Sequence, residues 1–184
     1  MAALRLLIAS LLSVLLAGIW QSGLAVEDLT EAEYRIKAAF LYKFGDYVQW
    51  PQSAFASPSG TFQIGVIGAD TLADQLEQIV AGHTMADHPV IVRKLKAGEA
   101  LNGLHLVFIG RSQGAKLTPL LDTLRGRPVL TVTESDSDTA GVINFVVVDD
   151  KVRFDVLLPT AEEDSLKISA RLLTVARRVI KGGS

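Results

Sequence analysis

The sharpest chemical pattern in the 184-residue sequence is Gly110-Arg111-Ser112-Gln113-Gly114. It fits G-x-S-x-G, the turn that presents a nucleophilic serine between a strand and a helix, with the activating histidine on a later loop. The three histidines, His83, His88 and His105, all precede Ser112. No base follows in the order the motif requires, so the plainer reading is a glycine-bounded turn with Ser112 as a helix cap. Gly65 and Gly68 in Gly65-Val66-Ile67-Gly68-Ala69-Asp70 lack the third glycine of a dinucleotide turn, and no P-loop lysine accompanies them. His83, Asp87 and His88 precede Pro89 in a polar loop, and a five-residue step does not put two histidines on one helix face. Glu134, Asp136 and Asp138 form an acidic stretch without the glycine and distal glutamate of a calcium loop. The chain is therefore expected to carry no catalytic residue, metal or cofactor. If it takes a small ligand, the candidates are the strand-end residues Gly68, Asp70, Arg111, Ser112 and Glu134, with Arg111 at a helix start favouring an anion.

A second pattern points to contact rather than chemistry. Tyr34, Phe40, Tyr42, Phe44, Tyr47, Trp50 and Phe55 crowd one short stretch, more aromatic residues than the rest of the chain after residue 25 holds. One helix buries one stripe, and these side chains point in several directions. Part of the set is core. Tyr34, Phe40, Tyr42, Phe44, Tyr47 and Trp50 are the candidates for an interaction face, because aromatic residues dominate interface hot spots. The basic residues Arg171, Arg177, Arg178 and Lys181 near the C-terminus suit a solvated helix end.

The elements that must position these residues follow from periodicity. Thr30-Glu31-Ala32-Glu33 is a capping box, which predicts a helix to about Tyr47 with Tyr34, Ala38, Leu41, Phe44 and Val48 on one face. Trp50-Pro51 ends it. Thr61 to Gly68 reads as a strand, and Asp70 caps a helix over 71–81 that buries Leu72, Leu76, Ile79 and Val80 and stops at Gly82. Strands follow at 89–95, 104–109 and 128–132, with a helix at 114–124 between the last two. The run 104–109 is apolar enough to be covered on both faces, with His105 a hydrogen-bonded sheet residue. Two further strands, 142–148 and 152–158, form a hairpin through Asp149-Asp150, with Pro159 stopping the second. A last helix is expected over 165–181, with Leu166, Leu172, Leu173, Ala176, Val179 and Ile180 inward. This order predicts an α/β fold: a three-layer sandwich, a mainly parallel sheet with an antiparallel edge hairpin, and flanking helices.

Composition sets the class. The net charge is −2, without a basic tract, which argues against nucleic acid as the partner. Zero cysteines exclude disulfides, thiol catalysis and thiolate metal sites. Residues 1–25 hold a single charge, Arg5, before an apolar run, and Gly23 and Ala25 stand at the −3 and −1 positions of a signal-peptidase site. They read as a cleaved signal peptide, which leaves residues 26–184 as one α/β domain in the periplasm.

The residues from Glu33 to Phe44, Glu33-Tyr34-Arg35-Ile36-Lys37-Ala38-Ala39-Phe40-Leu41-Tyr42-Lys43-Phe44, followed by Trp50-Pro51, resemble the opening signature of the YfiR-like family of small periplasmic proteins. The glycine-turned strand Phe62 to Gly68 and the strand entry Gly141-Val142-Ile143-Asn144-Phe145 resemble the family's in order. So do Lys151 to Val156 and Ile168 to Leu173. The resemblance spans nearly all of 33–180. It implies a non-enzymatic regulator that represses an inner-membrane diguanylate cyclase by binding its periplasmic sensor domain, with cyclic-di-GMP and biofilm formation as the output. It also implies a homodimer, and an OmpA-like outer-membrane lipoprotein as a second partner. Two departures stand out. Regulatory members often carry cysteines, which this chain lacks, and Leu157-Leu158-Pro159 stands where many have an asparagine. The alternative from the strand-end residues is a periplasmic anion-binding module feeding a sensor kinase or an outer-membrane receptor system.

Overall fold

A computed structural model describes residues 31–55 and 60–182; Thr30, the expected helix cap, and the expected signal peptide lie outside them. Helix α1 spans 31–47. It is followed by β1 (Val48–Gln49), β2 (Phe62–Ile67), α2 (Asp70–Val80), β3 (Thr84–Met85), β4 (His88–Leu95) and β5 (Leu106–Ile109). A tight helical turn, Arg111–Lys116, leads into α3 (Leu117–Asp122) and then β6 (Leu130–Thr133), β7 (Ile143–Val148) and β8 (Lys151–Leu157). The chain ends with α4 (Leu158–Glu163), β9 (Lys167–Ile168), α5 (Ala170–Val175) and β10 (Arg178–Ile180).

Eight strands make one sheet in the order β10, β8, β7, β6, β5, β2, β4, β3. The five strands from β7 to β4 in that order are parallel, β8 turns back antiparallel to β7, and β10 runs parallel to β8. Alternation along each strand divides the core in two. Ile64, Val66, Leu106, Phe108, Leu130 and Val132 face α1, α2 and α5, whose Ala38, Leu41, Phe44, Leu72, Leu76 and Leu172 bury against them. Ile67, Val107 and Ile109 face the other way, onto Leu117, Leu120 and Leu124. Helices thus cover both faces, and the expected α/β sandwich is the observed one. The turn at Asp149 and Asp150, with φ of +50° and +55°, is the twisted two-residue connection that matches strand twist.

Four local expectations need correction. The helix expected at 114–124 is a tight turn followed by six α-helical residues. Asp70 is the first residue of α2 and not its cap; the cap position is Ala69, without a side-chain bond. Pro159 stops nothing: it occupies the first turn of α4, where its missing N–H has no helical partner to lose. The long helix at 165–181 does not form. Ser165 takes φ +59°, Ser169 caps a new short helix by accepting the Leu172 N–H, and the chain then goes extended as β10. The same apolar residues satisfy two periodicities, and the free edge of β8 decides between them. Arg178, Val179 and Ile180 pair with Asp155, Val156 and Leu157, a ladder in which β-branched residues fit well.

Candidate functional site

The strand order reverses at β2, whose neighbours β4 and β5 follow it on opposite sides. In open α/β sheets the crevice beyond the strand C-termini at such a point is the usual ligand site. Here the chain fills it with its own groups. Gly68, at φ +74°, turns away from β2, and the Gly110 N–H after β5 donates to the Ile67 carbonyl at 2.9 Å. A β-carbon on Gly110 would lie 2.8 Å from the Gly68 oxygen, so only glycine fits. The Ser112 hydroxyl donates to the Gly68 carbonyl at 3.0 Å, and the Gln113 amide donates to that hydroxyl at 3.2 Å. Ser112 is therefore not a helix cap; its hydroxyl ties two strand ends together.

Two shallow clefts remain on either side. Gly68 and Asp70 line one of about 270 Å³, with Lys96 and Lys116. Arg111 and Glu134 line the other, of about 290 Å³, with Ser135 and Asp136. The five strand-end candidates thus share one edge of the sheet but split between two recesses, with Ser112 at the junction.

Arg111 is held by carboxylates. Its guanidinium lies 3.2 Å from the Glu134 carboxylate and 3.7 Å from Asp136. The same Glu134 oxygen accepts from Lys37 Nζ at 2.7 Å, and Lys37 also donates to Glu33 one helical turn back. Lys37 is 0% exposed. The Tyr34 ring lies 5.7 Å from the ammonium. A lysine on the buried side of α1 can persist only with carboxylates at hand, and the two it finds come from its own helix and from the end of β6. This cluster fixes where α1 sits along the sheet. The residue was passed over in the sequence, although its place three after Tyr34 and four before Leu41 puts a charge in an apolar stripe.

Buried Asp155 and two solvent-exposed arginines, Arg177 and Arg178, form a second ion cluster. Arg177 grips Asp155 with both Nε, at 2.7 Å, and Nη2, while Arg178 adds a bond at 2.9 Å. Burial pushes the Asp155 carboxyl up, but the two guanidinium groups outweigh it and hold it below the usual carboxylate range. Instead of a solvated helix end, these arginines anchor β10. Asn144 on β7 fastens the 133–141 loop: its amide accepts from the Thr133 hydroxyl at 2.8 Å and the Ser135 N–H at 2.9 Å, and donates to the Ser135 carbonyl at 2.9 Å.

The histidines sit at the other edge of the sheet. His88 opens β4 and His105 precedes β5, whereas Ser112 follows β5. A strand of four residues separates the two by more than 10 Å, roughly 3.3 Å per residue, so no histidine can activate Ser112. His105 Nδ1 accepts the Gln63 N–H at 3.1 Å, and its ring is sandwiched by Phe55 and Phe62, with centroids 4.8 and 4.9 Å away. Burial lowers its pKa and keeps the ring neutral. His88 Nδ1 bonds the Gly60 carbonyl at 2.9 Å, and His83 packs on Tyr42. Among the described residues no group of three or more histidine, aspartate or glutamate side chains converges to hold a metal ion.

The aromatic set divides. Phe44 is fully buried, packed against Phe40, Phe145 and Phe154 with ring centroids 5.0 to 5.9 Å away. Trp50 stands edge-on to Phe62 and donates its indole N–H to the His105 carbonyl at 3.1 Å. Tyr34, Phe40, Tyr42, Tyr47 and Trp50 are half-buried, each with one side on the core and one toward solvent. Between them α1 exposes Ile36, Ala39 and Lys43, and Ile36 is 47% exposed.

No curated protein matches the chain significantly. The profile of one family does match, over residues 34–177, a span that opens at Tyr34 above the buried lysine and closes at the arginine that grips Asp155. Lys37, Glu134, Asp155 and Arg177 and every strand from β1 to β9 fall inside it, and on that match the chain belongs to the YfiR/HmsC-like family.

Proposed function

We propose that this chain is a non-enzymatic regulator of the periplasm, exported after removal of residues 1–25, that represses a membrane diguanylate cyclase by binding its periplasmic sensor domain. The family match over 34–177 carries the reading. Two features of the molecule support it. The crevice where an α/β sheet would take a substrate is closed by Gly68, Gly110 and Ser112. No helix among the described residues is long and apolar enough to cross a membrane.

The contact face is proposed on α1. Its half-buried aromatic residues Tyr34, Phe40, Tyr42 and Tyr47, with Trp50 beyond the helix, flank the exposed Ile36 and Ala39. A rigid helix with aromatic edges held by a core costs little entropy on binding. Repression needs preference for one sensor state: a shift from 99:1 to 1:99 takes about 5.5 kcal/mol of differential affinity. A homodimer bridging two sensor domains, and an OmpA-like outer-membrane lipoprotein that captures the repressor, complete the proposed circuit.

The test uses the exported protein and the periplasmic domain of a cyclase encoded beside it, with calorimetry for binding and cyclic-di-GMP levels in a deletion strain. Saturable binding, weakened at least tenfold by Ile36→Glu, together with raised cyclic-di-GMP in the deletion, is the expected result. Unchanged cyclic-di-GMP on deletion sinks the proposal.

A further inference from the structure

Four rings stack where β2, β4 and β5 begin. In order they are His88, Phe55, His105 and Phe62, with centroids 4.4, 4.8 and 4.9 Å apart, and Trp50 stands edge-on to Phe62. His105 is 5% exposed. Its Nδ1 accepts the Gln63 N–H, so that nitrogen keeps its lone pair and the neutral ring carries its proton on Nε2. Nε2 is the one buried side-chain polar atom among the described residues that finds no hydrogen-bond partner. Such an orphan needs a reason.

A second proton has one place to go, Nδ1, where it meets the Gln63 N–H donor to donor. Gln63 is fixed: it lies in β2 between β4 and β5, and its carbonyl accepts the His105 N–H at 2.9 Å. The ring must therefore turn away, and to do so it must leave the gap between Phe55 and Phe62. The phenyl faces attract a cation but offer its N–H groups no acceptor. Burial opposes the charged ring more than the Ala54 carbonyl favours it, and His88 across Phe55 opposes it too. The other neighbours are uncharged. From β2 they are Phe62 and Gln63, whose side-chain oxygen holds Arg93; from β6 it is the Leu130 N–H, which donates to the His105 carbonyl; residues 50–55 carry no charge. The Gln52–Ala54 helical turn closes on itself through Ala54 N–H to Pro51 and Phe55 N–H to Gln52. The Phe55 ring and the Trp50 indole bond to the His105 carbonyl tie it to the sheet.

We propose that His105 is a proton-operated latch: a second proton drives its ring from between Phe55 and Phe62 and lets the 50–55 segment lift from the sheet. The freed ring binds a proton near 6.5 and the stacked ring only at lower pH, so acid favours the lifted state. Opening grows by up to about tenfold per pH unit below 6.5, until the stacked ring itself titrates. Trp50 borders the proposed contact face, so acid also weakens the sensor contact; that consequence alone rests on the function proposed above.

The experiment follows hydrogen exchange of the Trp50 indole N–H in the exported chain from pH 7.5 to 4.5, corrected for the intrinsic rate, beside the Phe108 amide in the middle of the sheet. Indole protection should fall by up to about tenfold per unit below pH 6.5 while Phe108 keeps its own. Equal losses at both overturn the latch in favour of global unfolding. In His105→Asn, whose amide oxygen can accept the Gln63 N–H, the fall should vanish. In His88→Asn, whose amide can donate to Gly60, it should remain. Either result reversed overturns the assignment. The parent gives a reading that needs no variant: the His105 ring nitrogen resonances should report Nε2–H at pH 7.5 and a midpoint below 6.5. Nδ1–H at pH 7.5, or a midpoint above 6.5, overturns it. A cyclase domain bound as tightly at pH 5 as at pH 7.5, with indole protection lost, overturns the sensor link and not the latch.

Discussion

Asp164→Asn should make this protein more stable at neutral pH, although it replaces a buried hydrogen-bonded residue. In the folded chain the carboxyl titrates near 6, raised by burial from 3.8. As pH rises, the unfolded chain releases this proton first, near 3.8, while the folded chain holds it until about 6. The folded state therefore binds more protons across that window, and stability falls with rising pH until the folded group has ionised. A shift of roughly two units at 1.36 kcal/mol each sets an upper limit of about 3 kcal/mol. The side chain borders an open cleft, so water screens part of this, and about 1 to 3 kcal/mol is expected. Asparagine keeps the oxygen that accepts the Gly126 N–H and carries no charge. Urea unfolding of both forms from pH 3.5 to 8 is the assay. The stability difference should be small at the acid end, grow in favour of asparagine between about 4 and 6, and then level off. A difference that is flat with pH, or a variant weaker than the parent at pH 7.5, refutes the reasoning.

Lys37→Met should cost about 1.5 to 3 kcal/mol in the same unfolding assay, because buried Glu134 loses its charged hydrogen bond from Lys37 and keeps the solvent-exposed Arg111 as counter-charge. Adding Glu134→Leu to it should recover a large part of that loss. Gly110→Ala should lower stability by about 1 to 3 kcal/mol, since the new methyl meets the fixed backbone oxygen of Gly68. Arg177→Ala should release the sheet edge: hydrogen exchange at Val179 and Ile180 should rise well before β8 is affected. The pH dependence of the Asp155 cluster runs opposite to that of Asp164. Its stabilisation is present above 3.8 and disappears as pH falls through the depressed folded value, and in Arg177→Ala that acid loss should shrink.

The helices and strands were legible where one face is buried and the pattern admits a single period. The stripe Ala38, Leu41, Phe44 predicts α1, and Leu106 to Ile109, buried on both sides, predicts a central strand. Gly68 and Gly82 mark turns because each takes φ +74°, which only glycine adopts at low cost. The aromatic density of 34–55 and its resemblance to a known signature were also on the surface of the sequence, and the family match agrees with the resemblance.

Long-range electrostatics and the last 20 residues were not legible, for one physical reason: their free energy comes from groups far apart in the chain. Ser165 to Ile180 has a helix-compatible stripe, but an unpaired edge on β8 and a buried Asp155 draw Arg177, Arg178 and Val179 into an extended ladder. Local propensity differs by tenths of a kcal/mol per residue, less than about 1 kcal/mol for a hydrogen bond or more for one to a charge. Residue types and order by themselves determined the α/β class, the parallel core and the glycine turns, because those follow from burial along one segment. Only the tertiary structure decided that Ser112 closes the crevice, that Lys37 and Glu134 meet across 97 positions, and that Asp164 stands buried and accepts the Gly126 N–H. Each of these depends on which distant backbone arrives next to it.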